Sequence, residues 1–292
     1  MVTQSLAAVI VTFGEGGSRI GGLVDQLSRV AQRVVVVENT PDMPTPRIAG
    51  ADSIANGNRG GLAGAYNRAL EHLGGGTDLV VFVDQDSDAT VLPELLADPQ
   101  VAALLARSDV AAVAPIYRDR ATGLRGRPAV LQGRWRVEHL PREFADIRQT
   151  TMAINSMTIW RRAALARLGA FDEGLGVDHV DTEMALRAAA ENLSIWVAGA
   201  HVFDHAIGQR REWRALGRTF QTGGHSPDRR RQIGRNTALL AKRWGWRYPS
   251  FAMLALARLG YETAGILAAE DRKLAKLGAL GRGTLAGIFA RR

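Results

Sequence analysis

Two acidic clusters in this chain have the residue types and spacing for chemistry. Asp84-Gln85-Asp86-Ser87 sets two carboxylates one residue apart, and Asp178, His179, Asp181 and Glu183 crowd ionisable groups into one short stretch. Hard carboxylate oxygens suit Mg²⁺ or Mn²⁺ better than zinc, which makes Asp84 and Asp86 candidate cation ligands. An Asx turn or a helix cap uses the same residue types. In the second cluster a helix dipole favours acids in the first turn, yet capping accounts for only one or two of the groups. The remainder is the strongest catalytic candidate in the chain. Glu183 and Arg187 are one helical turn apart and also suit an i,i+4 salt bridge.

The elements that must position these residues follow from apolar patterning. Asp78–Val83 is a short apolar run rich in β-branched residues, so it predicts a buried strand ending at Asp84. Ala7–Phe13 predicts another, closed by glycines at 14, 16 and 17, then a helix over Arg19–Ala31 and a strand over Arg33–Asn39. Uninterrupted apolar strands joined by helices predict a parallel sheet covered on both faces, with ligands at the carboxyl rim of the strands. The glycines do not fit the Gly-x-Gly-x-x-Gly frame of a dinucleotide site. Downstream, Asn56–Leu70 is a glycine-rich turn leading into a helix of small residues, where Arg59 can face a diphosphate; a tight loop would read the same way.

Composition bounds the rest. The 292 residues suffice for one large or two small α/β domains, and 46% hydrophobic with 23% charged residues is an ordinary globular balance. With no cysteine, disulfides, thiolate metal sites and cysteine nucleophiles are excluded. The N-terminus lacks a basic n-region and a sufficient apolar segment, so a cytoplasmic location is expected. The net charge of +8 implies attraction to a polyanion, whether nucleic acid, an anionic bilayer or a phosphorylated substrate.

Val9–Phe13, Val37-Glu38-Asn39, Asn58-x-Gly60 with Asn67, Asp84-Gln85-Asp86-Ser87, Phe171-Asp172-Glu173, Asp178–Arg187 and His205-x-Ile207-Gly208 occur in that order over about the first two hundred residues. Together they resemble glycosyltransferase family 2, in its rhamnosyltransferase-like branch. The resemblance implies a GT-A fold, a mixed, mostly parallel sheet flanked by helices, with a nucleotide-sugar donor, a divalent cation (Mg²⁺ or Mn²⁺) and an inverting transfer. It implies dTDP-L-rhamnose as donor and a saccharide or lipid-linked saccharide as acceptor. Another UDP- or dTDP-sugar, such as galactofuranose or glucose, is the alternative within the class. A nucleotide- or nucleic-acid-binding protein on the same scaffold is the alternative outside it.

Carried over residue by residue, the resemblance gives donor binding to Thr12, Phe13, Glu38, Asn39, Asn58, Arg59, Gly60, Asn67, Asp84, Gln85 and Asn155. It gives cation binding to Asp86, Asp84 and His205. Asp181 becomes the base that takes the acceptor proton, with Asp178 as its rival. The chain departs from the branch at Gly14, where Asn or His is usual, at Glu38, where Asp is common, and at Val180, where the wider family often has Glu.

Four further expectations complete the reading. Val110–Pro115 and Thr151–Trp160 predict strands, the latter with a polar interruption at Asn155-Ser156, and Leu193–Val197 an edge strand. Arg118–Arg148 predicts loops or a small hairpin on the acceptor side. Residues 161–168 predict a helix ended by Gly169. The domain boundary is expected at 209/210, with a basic helical extension beyond it. There Arg210-Arg211, Arg229-Arg230-Arg231, Arg235 (paired in sequence with Asn236), Lys242-Arg243 and Arg247 alternate with Trp213, Trp244, Trp246 and Tyr248. That extension suits acceptor contact, peripheral contact with the inner face of the cell membrane, or a homodimer, and nucleic acid less well. Its longest apolar run, Phe251–Ala257, is too short to span a bilayer.

Overall fold

The computed structural model describes residues 4–14, 20–205, 211–215 and 218–290, without the side chains of 211–215 and 218–220. The chain divides into two compact units, Met1–Ala129 with His139–Ala206 and Val130–Glu138 with Ile207–Arg292.

In chain order the elements up to residue 205 are β1 (Leu6–Thr12), α1 (Gly21–Leu27), β2 (Arg33–Glu38), β3 (Asp52–Ala55), α2 (Gly61–Leu73), β4 (Leu79–Asp84), α3 (Leu92–Ala97), α4 (Pro99–Ala106), β5 (Val110–Asp119), the hairpin β6 (Ala129–Gln132) and β7 (Arg136–His139), β8 (Ile147–Thr150), β9 (Ile159–Arg161), α5 (Arg162–Leu168), α6 (Val180–Ala190) and β10 (Ser194–His205). Eight strands form one sheet in the order β3-β2-β1-β4-β9-β5-β10-β8. Pairing is parallel from β3 through β4 and between β5 and β10, and antiparallel where β9 and β8 join. The sheet is thus mixed and mostly parallel, flanked by helices, as the patterning predicts.

Both faces are covered, which is why β1, β2 and β4 read as continuous apolar runs. Ile10, Val36 and Val81 lie in a core with Leu27 of α1 and Leu92 and Leu95 of α3. On the other face Phe82 meets Tyr66 of α2 at 4.2 Å and Phe171 at 5.5 Å between ring centroids.

Several expectations change. Residues 151–158 are not strand: Ser156 makes one isolated bridge to Phe82, Met157 takes a positive φ of 61°, and only Ile159–Arg161 pairs, between β4 and β5. The predicted edge strand becomes β10, twelve residues long and second from the edge, because β8 pairs outside it. The predicted Arg19–Ala31 helix is regular only over Gly21–Leu27; Arg19, like Glu15, Gly16 and Gly17, lies outside the described residues. The helix before Gly169 is α5, and Gly169 ends it at φ 82°.

The second unit contains the β6–β7 turn region, a hairpin of β11 (Arg211–Ala215) and β12 (Arg218–Thr222), and the helices α7 (Pro227–Trp244), α8 (Pro249–Ala269) and α9 (Lys273–Phe289). The extension therefore begins with strands before it becomes helical. Ser226 caps α7 by accepting from the Arg229 amide, with Pro227 in the first turn. Glycines let α9 lie against α7, since a Cβ at Gly283 would stand 2.0 Å from the Arg231 carbonyl. Asn236 is buried and accepts from Arg235 at 2.9 Å, so the two side chains meet within α7. A buried ionic cluster joins the elements: Arg230 pairs with Glu262 and Glu270, Thr222 donates to Glu270, and Lys276 reaches Glu270 at 2.9 Å.

Taken as a helix rather than an uninterrupted run, α8 is longer than the sequence reading allowed. Its 21 residues include an 18-residue window of mean hydropathy 1.3, enough by length and composition to cross a membrane, and 28% of that window is buried. The run-length count stops at Arg258, whereas the window spans that charge and Glu262 and is apolar on average.

Candidate functional site

The rim where β1, β2 and β4 end collects most of the predicted residues. Register places Thr12 beside Glu38 and Val11 beside Asp84. Thr12 donates to Glu38 Oε2 at 3.0 Å, and the Thr40 amide donates to Oε1 at 2.8 Å, so the buried Glu38 carboxylate holds the turn after β2. Phe13 and Gln85 form a reciprocal pair: the Phe13 amide donates to Gln85 Oε1 at 2.8 Å, and Gln85 Nε2 donates to the Phe13 carbonyl at 3.1 Å. The Phe13 ring is left exposed at the rim. Next to it Asn56 donates to Asn39 Oδ1 at 2.7 Å, and Asn39 to Asn58 Oδ1 at 3.4 Å.

Asp84, Asp86 and His205 each present a ligand atom, all within 4.8 Å of one another. His205 reaches this point because β10 slips register between Ala198 and Val202 and then resumes pairing with β5 as far as His205 opposite Asp119. His205 Nε2 stands 3.9 Å from Asp84 Oδ2, while Nδ1 is buried without a hydrogen-bond partner among the described residues. Two carboxylates and an imidazole with an orphaned nitrogen fit a divalent cation, and this donor mixture suits Mn²⁺ better than Mg²⁺. Burial pushes the Asp84 carboxyl up; His205 and a hydrogen bond from Ser156 pull against that, and the charge of Asp86 adds to it. Ile207 and Gly208 of the predicted signature, with Arg210, lie outside the described residues, as do the side chains of Arg211 and Trp213.

The second acidic cluster sits at the start of α6, whose N-cap His179 is left-handed at φ 71°. Asp181 Oδ1 accepts from the Thr182 amide at 2.7 Å. Burial still pushes the Asp181 carboxyl above the ordinary range, against the two Thr182 hydrogen bonds and with help from the charge of Asp178. Asp84 and Asp181 act on a common neighbour that sequence reasoning missed. Tyr66, buried in α2, has its phenol pushed well up by burial and then by the charges of both Asp84 and Asp181. The two clusters, about a hundred residues apart in sequence, therefore both lie within electrostatic reach of one buried phenol. Its apolar-aromatic setting in a helix of small residues had the look of core alone.

Other predicted donor residues are held by the protein itself. Asn67 accepts from the Phe171 amide at 2.8 Å and donates to the Phe171 carbonyl at 3.0 Å and to Glu173 at 2.9 Å. A Cβ on Gly60 would fall 2.5 Å from a Glu173 oxygen, so this glycine, at φ 63°, admits the 173–176 turn. Arg59 donates to the Asn56 carbonyl at 3.1 Å. Arg187 pairs with the buried Glu183 and donates to the carbonyls of Leu168 and Ala170, the structural reading of that pair. Asn155 differs: it is 5% exposed, and neither polar atom of its side chain has a partner among the described residues. Ser156 beside it lies 3.2 Å from Ser87.

Asn67→Ala is expected to lower stability by roughly 1–3 kcal/mol by leaving the Phe171 amide and carbonyl unpaired, with little change in donor KM. Melting and donor titration read the two effects, and a KM effect without a stability loss would return Asn67 to ligand binding.

Three comparisons bear on the fold and its class. The sequence profile described as glycosyl transferase family 2 matches residues 7–169. The dTDP-rhamnosyl transferase RfbF of Shigella flexneri is 24% identical over 259 residues, covering 83% of this chain and 81% of that protein. A crystal structure of GalNAc-T7 with UDP, GalNAc and Mn²⁺ superposes with a TM-score of 0.53 at 13% identity, over 83% of this chain. The chain spans about half, 51%, of that protein, and the likeness is one of fold.

Proposed function

The chain belongs to glycosyl transferase family 2 and is a glycosyltransferase of GT-A fold, and from that premise we propose an inverting, cation-dependent transfer of L-rhamnose from dTDP-rhamnose to a saccharide or lipid-linked saccharide. The observation that carries the reading is the convergence of Asp84, Asp86 and His205 on one point, with Asp84 and Asp181 both acting on Tyr66. The donor choice is supported by the likeness to the Shigella flexneri enzyme.

In this reading Asp181 takes the proton from the acceptor hydroxyl, whose oxygen forms the new bond to the anomeric carbon as the bond to the diphosphate oxygen breaks. A carboxylate whose affinity for protons is raised is the better base for that step. Asp86, Asp84 and His205 would hold the cation, which when bound supplies charge neutralisation to the departing nucleoside diphosphate. Asn155 offers the transferred sugar a buried amide with both ends unspent. The reciprocal Phe13–Gln85 pair keeps the rim beside the donor fixed. The assignment of the first 209 residues as the catalytic domain is part of the same proposal.

Release of dTDP from dTDP-rhamnose should require added Mn²⁺ or Mg²⁺ and fall by about 10²-fold or more in Asp86→Ala, with the melting curve of the metal-free protein unchanged. Cation-independent turnover in that variant would sink the cation assignment. A panel of UDP- and dTDP-sugars in a thermal-shift assay checks the donor, since a ligand of the native site raises stability by mass action.

A further inference from the structure

We propose that the second unit binds an anionic lipid bilayer through the outer face of α8, a reading independent of the catalytic one. Met253, Leu256, Ala257, Gly260, Ala264 and Leu267 recur at helical spacing and all are exposed, at 60% for Met253, 68% for Leu256 and 53% for Leu267. At 100° per residue they fall within one stripe roughly 100° wide that contains no charge. Such a stripe normally faces a core. Here the core of the unit is taken up by the opposite side of the helix, where Phe251, Ala255, Glu262 and Ile266 are buried.

Charge selects the occupant. Residues 207–292 hold eighteen Lys and Arg against five Asp and Glu, a surplus larger than the +8 of the whole chain, so the preceding residues are net acidic. Cations and an aromatic stand at the two ends of the stripe: Trp246, 86% exposed, and the exposed Arg247 before α8, and the exposed Arg272 and Lys273 after it. An apolar stripe between basic ends, one of them bearing an exposed tryptophan, is the pattern of a helix lying in the plane of an anionic interface. A second copy would bring two strongly basic units together, which repulsion opposes.

The same unit argues against a span. Glu262, midway along α8, is tied to the buried Arg230 and accepts from Arg258 at 2.7 Å, so surrounding the helix with lipid would strip a charged pair of its partners. The helix lies on the surface with its charged side kept in the protein.

Sedimentation of the full chain with vesicles tests this. Binding is expected to vesicles of phosphatidylcholine containing roughly a third phosphatidylglycerol, not to phosphatidylcholine alone, and to weaken in high salt. Met253→Ser/Leu256→Ser/Leu267→Ser should weaken it by about tenfold or more with an unchanged circular-dichroism melt, and Arg272→Glu/Lys273→Glu should weaken it by about tenfold even if the triple variant misfolds. Wild-type protein that stays in the supernatant with the anionic vesicles overturns the proposal. So does undiminished binding by both folded variants, or a dimer in light scattering that the serine substitutions split without affecting vesicles.

Discussion

Asp181→Asn is expected to lower kcat by about 10²–10⁴-fold, the usual worth of a positioned general base, while donor affinity stays within about twofold. Asn keeps the size of the side chain and the carbonyl that accepts from Thr182, and removes only the capacity to take a proton. The pH dependence carries the diagnosis. Burial raises the Asp181 carboxyl, so the acid limb of the wild-type rate profile should lie above the ordinary aspartate range of about 4. Asp178 adds to that rise through its charge, so Asp178→Asn should move the limb down in pH without abolishing turnover. If Asp178→Asn is the dead variant and Asp181→Asn turns over normally, the base is Asp178.

Stability should move in the opposite direction. An acid whose carboxyl is raised in the folded state binds its proton more tightly there than in the unfolded chain. Ionised Asp181 therefore costs stability at pH above its folded value, and below the unfolded value near 4 the effect vanishes. Asp181→Asn is thus expected to melt higher than wild type at neutral pH and alike in strong acid. A lower melting point at neutral pH would show that Asp181 is a cap and not a desolvated base.

Arg230→Ala should destabilise the second unit by about 3–5 kcal/mol, the scale for breaking a buried ion pair by deleting one partner. Arg230 is 0% exposed and serves two carboxylates, Glu262 and Glu270, from α7 to α8 and to the turn after it. Without it Glu262 keeps Arg258, and Glu270 keeps Thr222, the Gly224 amide and Lys276. Burial alone pushes the Glu270 carboxyl up, but Thr222, Lys276 and Arg230 outweigh it and hold the group below the ordinary glutamate value. Its contribution is present above the unfolded value and is lost as pH falls through the lower, folded one. Urea unfolding of wild type and variant at neutral and acid pH measures both effects. A loss of under about 1 kcal/mol at neutral pH would mean that water already screens the cluster.

Much of the first unit was open to sequence reading, for identifiable reasons. Strands β1, β2 and β4 are buried on both faces, and continuous burial writes itself as continuous apolar residues. A carboxylate pair just past such a strand can only lie at the sheet rim, so the positions of Asp84 and Asp86 followed from pattern. The short strands β3, β8 and β9 were missed or misplaced because strands of three or four residues show too little alternation to be told from loop. At 151–158 the apolar residues mimic a strand, while the chain turns at Met157 with a positive φ that its residue type does not announce.

The amino-acid order by itself determined the family, the class of fold and the acids at the rim, since each depends on local pattern and on motifs in series. Tertiary structure alone decided how those residues are employed. Asn67 and Gly60 serve a turn more than a hundred positions away, Tyr66 feels the charges of both acidic clusters, and a register slip in β10 delivers His205 to Asp84. The physical reason is that a side chain's partner across the fold is chosen by packing and register, and neither leaves a period in the sequence.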